Sequence, residues 1–311
     1  MQRNHRYNSF GDWLTEWAGC KVQKISVNAG FTCPNRDGTV GWGGCTYCNN
    51  QTFNPEYCQN GKSVSQQLEE GKAFFGKKYP EMKYLAYFQA YTNTYGGLDE
   101  LRRKYEEALA VDKVIGIVIG TRPDCVSQPL LNYFGHLNSQ CRLLIEYGIE
   151  STNDDVLKHI NRGHDFQTTR SMVELTAERG IDTGGHVILG LPFTHQIDGY
   201  LEHEAQNISN LPLTTLKIHQ LQIIKNTRME EEFQKFPERF HRFTVDEYID
   251  IVIDFIEHSR PDLVFERFVS QSPPSLLAVP GWGLKNFEFT AKLNKRMDQR
   301  DAFQGSKYKT R

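Results

Sequence analysis

Residues 143–189 read Leu143-Leu-Ile-Glu-Tyr-Gly-Ile149, then Thr152-Asn-Asp-Asp155-Val-Leu-Lys-His-Ile160, then Asp165 through Gly180, and finally His186-Val-Ile-Leu189. The first and last pieces are short, apolar and β-branched, as buried strands are. Between them, Thr152-Asn-Asp-Asp155 starts a helix with Val156, Leu157 and Ile160 on one face and Gly163 as its stop. Asp165 to Arg179 forms a second helix, closed by Gly180. One strand–helix–strand unit is therefore legible in 47 residues, and such units indicate a parallel sheet.

The same alternation extends in both directions. Strand-like runs stand at Val22–Val27, Tyr84–Phe88, Val114–Ile119, Leu216–Ile224 and Leu263–Val269. Thr244-Val-Asp-Glu247 is a capping box that opens a helix bearing Tyr248, Ile249, Val252, Phe255 and Ile256 at helical spacing. Six or seven consecutive units favour a complete or partial α/β barrel over a doubly wound sheet, with short additions at both ends. In such barrels the chemistry sits on the loops that follow the strands.

Composition excludes several classes. The 311 residues are 39% apolar and 24% charged, enough to build a core. No apolar stretch approaches the roughly 18 residues of a membrane span. Met1 to Trp13 lacks the apolar segment of a secretion signal, so a cytoplasmic protein with no membrane partner is expected. The net charge is −2, yet residues 285–311 carry eight basic side chains, from Lys285 to Arg311, against Glu288, Asp298 and Asp301. That tail could contact phosphates, although a solvated surface is the commoner meaning of such a run.

Seven cysteines without an export signal point away from disulfides. Cys33, Cys45 and Cys48 fall on the loop after the first strand, in a C-x11-C-x2-C arrangement rich in glycine. A cubane held by three thiolates keeps one iron free for a ligand. Zinc, with Cys58 as fourth ligand, fits the spacing too, but a structural zinc gains nothing from the active face of a barrel. Cys20, Cys125 and Cys141 read as small buried residues.

Cys33-Pro-Asn-Arg-Asp-Gly-Thr39 with Gly43-Gly-Cys-Thr-Tyr-Cys48 resembles the cluster loop of radical S-adenosylmethionine (SAM) enzymes, whose usual C-x3-C-x2-C is lengthened here. Tyr87-Phe-Gln-Ala-Tyr-Thr-Asn-Thr94, Gly120-Thr-Arg-Pro-Asp-Cys125, Asn161-Arg-Gly-His-Asp165 and Gly190-Leu-Pro192 extend the resemblance to the YhcC/YtqA family, from about Lys21 to Trp282. The resemblance implies a partial (β/α) barrel of the radical SAM type. It divides the chain into an N-terminal extension (1–20), a core barrel (21–230) and a helix, strand and basic tail completing the domain (231–311).

The resemblance also implies a [4Fe–4S] cluster on Cys33, Cys45 and Cys48, SAM as cofactor, and an electron donor such as flavodoxin or ferredoxin. Tyr47 would pack near adenine. Gln89 and Ala90 occupy the place of the Gly-Gly-Glu that usually holds the SAM amino group, without its acid. Glu146 and Glu150 fall on the segment that reaches the ribose, Arg162 matches the partner of the SAM carboxylate, and Leu191 borders adenine. Arg122, His219, Lys225 and Arg267 are substrate-side candidates. Thr121-Arg-Pro-Asp124 and Arg162-Gly-His164 also occur in the catalytic subunit of Elongator, so the resemblance implies modification of the wobble uridine of tRNA. The loop from Asn49 to Tyr57 departs from the YtqA branch. A small-molecule substrate, as in coproporphyrinogen-oxidising relatives, and a non-catalytic zinc module are the competing readings.

Overall fold

A computed structural model describes residues 6–309 except 50, 51, 53, 54, 60, 77, 78 and 80. Seven parallel strands stand side by side in chain order: β1 (Val22–Val27), β2 (Lys83–Phe88), β3 (Val114–Thr121), β4 (Arg142–Glu150), β5 (Asp182–Leu189), β6 (Thr215–Gln220) and β7 (Val264–Arg267). Helices α2 (Val64–Phe75), α3 (Leu98–Leu109), α4 (Gln128–Asn138), α5 (Asp154–His159), α6 (Phe166–Ala177), α7 (Tyr200–Ser209), α8 (Arg228–Lys235) and α9 (Val245–His258) connect them, and α10 (Asn286–Gln299) follows β7. Consecutive order with helical crossovers is barrel topology. Among the described residues β1 and β7 do not pair, so the barrel is partial, as the sequence implies.

Alternation along the strands divides the apolar residues between two cores. Ile117 and Ile119 of β3 join the large core that includes Leu130, Leu131 and Phe134 of α4. Val118, with Leu85, Leu144 and Val264, packs instead against Phe10 and Leu14 of the N-terminal helix α1 (Phe10–Ala18). Ser9 caps α1 by accepting from the Asp12 N–H and bridges to Phe265 of β7. The N-terminal extension is thus a plug against the inner face of the sheet rather than a loose addition.

The C-terminal residues are docked as well. Phe289, Leu293 and Met297 of α10 are buried, and Gln304 donates to the carbonyls of Arg260 and Leu263 while accepting from the Asn8 N–H. Much of the basic tail is neutralised in place. Arg296 and Arg300 pair with Asp250, Lys307 with Asp254 and Glu257, and Lys309 with Glu202. Acidic residues on α7 and α9, invisible to a count along the tail, supply these partners; Arg311 lies outside the described residues. Two strand runs end earlier than the sequence suggests, β6 at Gln220 and β7 at Arg267, because both chains turn into loops at the mouth of the barrel. The capping box at Thr244 and Glu247 forms as read.

Leu14 is 4% exposed, and removing its isobutyl group opens a void where α1 meets the sheet. Leu14→Ala is expected to lower stability by about 2–4 kcal/mol, measured by urea unfolding of the full chain.

Candidate active site

The eleven residues between Cys33 and Cys45 fold back on themselves. The N–H groups of Val40 and Gly41 donate to the Pro34 carbonyl, Asp37 bridges to Trp42, and the Gly44 N–H returns to the Asn35 carbonyl at 2.7 Å. Gly43 and Gly44 both take positive φ, 76° and 79°, which turns the chain sharply into Cys45. Arg228 and the Asn161 amide donate to the Gly44 carbonyl and fix that turn. The long spacing is therefore a closed hairpin excursion, and all three cysteines face one cleft.

The cleft holds about 940 Å³ of space, partly open to solvent, at the mouth of the barrel. Arg162 is buried in its wall. It donates to the Gly148 carbonyl at 2.6 Å and to Cys45 Sγ at 3.5 Å, with Glu150 at 3.7 Å. Asn35 donates to the same sulfur at 3.6 Å. A Cβ at position 148 would come within 2.5 Å of the Arg162 guanidinium, so glycine is required for this approach. Arg122 is held by Asp124 through two N–H bonds and donates to the Arg162 carbonyl at 2.8 Å.

Strained backbone gathers here. Glu150 follows a register shift in β4 and takes a left-handed φ of 67°, and Tyr91, just beyond β2, has φ 63°. Such non-glycine conformations cost on the order of 1 kcal/mol and concentrate at functional sites. Burial raises the Glu150 carboxyl above its ordinary value, with Arg162 and a hydrogen bond from Tyr47 opposing that rise. Glu150 Oε2, Arg162 Nε and His186 Nε2 are buried without hydrogen-bond partners. Unmatched donors and acceptors on one wall are what a site shaped for a polar ligand looks like.

Deeper in the barrel four charges form a ring. Lys24 of β1 bonds Glu146 and Glu266, both at 2.6 Å, and Lys217 of β6 bonds the same two acids at 2.6 and 3.2 Å. The Tyr87 hydroxyl also accepts from Lys217 at 2.8 Å. Burial would raise the Glu146 carboxyl, but Lys217 and Lys24 outweigh it and hold it far below the usual range. Glu146, one of the expected cofactor-side residues, lines the same cleft, with both of its oxygens engaged by the lysines of this ring.

Of the other expected residues, Tyr47, Gln89, Arg122, Glu150, Arg162 and Arg267 line the cleft with the cysteines. Gln89 donates to the Ser26 hydroxyl at 3.0 Å. Ala90 and Leu191 are buried and do not line it. His219 is buried and does not line it, its ring 4.6 Å from that of His186, which does. Lys225 is outside the cleft, donating to the Ser275 carbonyl at the surface. The sequence reading missed Asn35, Lys24, Lys217 and His186. Lys24 and His186 are polar residues interrupting β-branched runs, and that break in alternation was their available signal.

The donor set suits an iron–sulfur cluster. None of the cysteines is in a disulfide. Among the described residues no three Cys, His, Asp or Glu side chains converge as a single metal ion requires; the thiolates of a cubane sit on separate irons and need no such convergence. Cys58 stands outside the cleft, buried beside the Asn28 backbone, whereas tetrahedral zinc would need it with the other three. Part of the 49–57 loop that departs from the relatives lies outside the described residues.

Comparison with known families agrees. The model of the radical SAM superfamily matches residues 31–202, and that of the Radical_SAM C-terminal domain matches residues 213–299. The chain belongs to the radical SAM superfamily. It is a radical SAM enzyme, and this family implies a [4Fe–4S] cluster and SAM. The uncharacterized protein YtqA of Bacillus subtilis is 34% identical over 96% of this chain and 92% of its own length. Protein YhcC of Escherichia coli is 32% identical over 91% and 89%. The tRNA uridine(34) acetyltransferase of Methanocaldococcus infernus is 23% identical over 55% of this chain and 31% of its own length. The solved structure of archaeal Methanocaldococcus infernus Elp3 shares the fold, with a TM-score of 0.65 at 15% identity, over 91% of this chain and 64% of that one. Among the described residues no helix is long and apolar enough to cross a membrane.

The loop leaving Glu150 is anchored from below by Glu204 of α7, which accepts from the Thr152 N–H at 2.8 Å and the Thr152 hydroxyl at 2.9 Å. Burial raises the Glu204 carboxyl to about 7 against these bonds. The folded chain therefore holds a proton that the unfolded chain releases near the ordinary glutamate value of about 4.3. Stability from this group is full below about 4.3 and is lost as pH rises toward 7. Urea unfolding should show the stability of the native chain, relative to Glu204→Gln, falling by about 1–3 kcal/mol between pH 4.5 and 7.5.

Proposed function

We propose that Cys33, Cys45 and Cys48 hold the [4Fe–4S] cluster, that the neighbouring cleft takes SAM, and that the substrate is the wobble uridine of tRNA. The observation that carries the reading is the contact of Arg162 with Cys45 Sγ, in a wall shared by all three thiols. When bound, the cluster and SAM supply a 5′-deoxyadenosyl radical that takes hydrogen from substrate.

The chain supplies the positioning. Arg162, its Nε still unmatched, pairs with the SAM carboxylate through a planar guanidinium suited to two oxygens. Glu150, buried and strained, accepts hydrogen bonds from ribose hydroxyls. Tyr47 packs beside adenine, with the buried Leu191 behind the turn at Gly190. Gln89 and the Ala90 backbone stand where the SAM amino group is held, with carbonyl oxygens in place of an acid. Asn35 and Arg162 both donate to Cys45 Sγ and fix that sulfur against the cleft wall. The buried walls exclude water from a reactive radical.

The tRNA assignment draws on the uridine(34) acetyltransferase among the relatives and on Arg122-Pro-Asp124, whose arginine braces Arg162. Of the C-terminal basic residues, Lys285, Lys292 and Lys295 have no acid within ion-pair distance among the described residues, and they are the side chains for phosphate contact. An electron donor of flavodoxin or ferredoxin type completes the system.

Anaerobic reconstitution, followed by SAM and dithionite, should yield 5′-deoxyadenosine from the native chain and at least 100-fold less from Cys45→Ala. Cys58→Ala should keep its iron and its product; loss of the metal in that variant would favour a four-thiolate site. Arg162→Gln should raise the KM for SAM at least tenfold while the brown absorbance persists. Bulk tRNA should stimulate product formation, and an unmoved rate would turn the substrate assignment toward a small molecule.

A further inference from the structure

One row of the sheet crosses the cleft from end to end. Gly148 of β4 pairs with His186 of β5, His186 with Lys217 of β6, and Lys217 with Arg267 of β7. The Gly148 end is covered by Arg162, which touches Cys45. Arg267 lies at the other end, three strand spacings away, on the order of 14 Å along the sheet. That distance separates a cofactor end from a substrate end.

Charge at the two ends differs. Arg162 has Glu150 beside it, and Arg122 has Asp124. The interior ring is self-balanced, with Lys24 and Lys217 against Glu146 and Glu266. The Glu266 oxygens, the nearest acid in sequence to Arg267, are both taken by these lysines. Arg267 faces the cleft with no carboxylate within ion-pair distance among the described residues, and its buried Nε has no acceptor. A guanidinium left unmatched in a half-buried wall is costly to keep unless something arrives to pair with it.

Its neighbours are imidazoles. His219 Nδ1 lies 2.8 Å from the Gln220 carbonyl, so this nitrogen carries the hydrogen. The His186 ring lies tilted at 46° to that of His219, with Nδ1 3.7 Å from Glu150 Oε2 and Nε2 without a hydrogen-bond partner. Burial first, and then the charge of Arg267, pushes His219 down to about 3; burial, then His219, then Arg267 push His186 well below its ordinary value. Both rings are neutral at pH 7, so among the described residues Arg267 is the one unpaired full charge at this end of the cleft.

Building on the assignment of this cleft as the radical SAM site, we propose that Arg267 and His186 form a subsite for a carboxylate carried by the substrate. A single negative charge cancels the single unmatched positive one; a phosphate dianion would leave an excess charge in the same wall. The guanidinium supplies two parallel donors to the two oxygens, and neutral His186 supplies a third contact. Bound in this way, the reacting group is presented from the β7 side toward the cysteines at the β4 side.

The test is a titration of the full chain, purified anaerobically with its cluster, at pH 7 with sodium acetate and, separately, inorganic phosphate. The reporters are the side-chain NMR signals of His186 and His219. The proposal expects a saturable acetate shift that weakens at least tenfold in Arg267→Gln and less in Arg267→Lys, which keeps the charge without the planar fork. It is overturned by no saturable shift, by an equal shift in Arg267→Gln, or by phosphate binding more tightly than acetate. Should Arg267→Gln fail to fold, Arg267→Lys and His186→Asn give the same comparison. The readout involves no SAM cleavage, so a failed subsite and a failed radical SAM assignment are told apart.

Discussion

An open sheet of seven strands has two edge strands, and in this protein four buried charges span the distance between them. Lys24 comes from one edge strand and Glu266 from the other, with Glu146 and Lys217 completing the ring from β4 and β6. Among the described residues β1 and β7 do not pair, so backbone hydrogen bonds between them do not close the barrel. The ring does so electrostatically, in a setting where removing one partner would leave another charge buried and unmatched, at about 3–5 kcal/mol. Every other feature of the mouth is set relative to it: the row that passes through Lys217, the tyrosine that rests on its ammonium, and the arginine on the next strand.

Helix α1 reinforces the same closure from the apolar side. Phe10 places its ring beneath Lys24, with the ammonium 4.4 Å from its centroid, while Leu14 fills the floor below. The edge strands are thus held by charge above and by packing beneath. The cleft between them keeps its width without a covalent link.

The architecture was legible because strand and helix periods differ, and because caps such as Thr244 and Glu247 announce themselves within four residues. The cysteines, Arg162 and Glu150 were legible through local motifs. The partners that give them meaning were not. Lys24 and Glu266 are separated by 242 positions, and nothing local in either sequence names the other. The charge of the basic tail was only partly legible for the same reason, since the acids that pair with Arg296, Arg300, Lys307 and Lys309 sit on α7 and α9. Glu146 reads as a ligand from its motif and becomes a ring member only when β1 and β6 are brought to it. Row membership at Gly148, His186, Lys217 and Arg267 is a property of register, which one sequence does not disclose.

The hairpin between the first two cysteines also bears on how such chains diversify. Because Gly44 returns to Asn35, the distance that matters between Cys33 and Cys45 is set by a clamp of a few hydrogen bonds and not by the count of residues in between. Lengthening a loop from three intervening residues to eleven costs only about 1 kcal/mol in closure entropy. Such a segment can grow or shrink across descendants without disturbing what its base holds. Its outer turn, where Trp42 is 75% exposed, is a tolerant port at which an affinity handle or a reporter could be spliced into the chain.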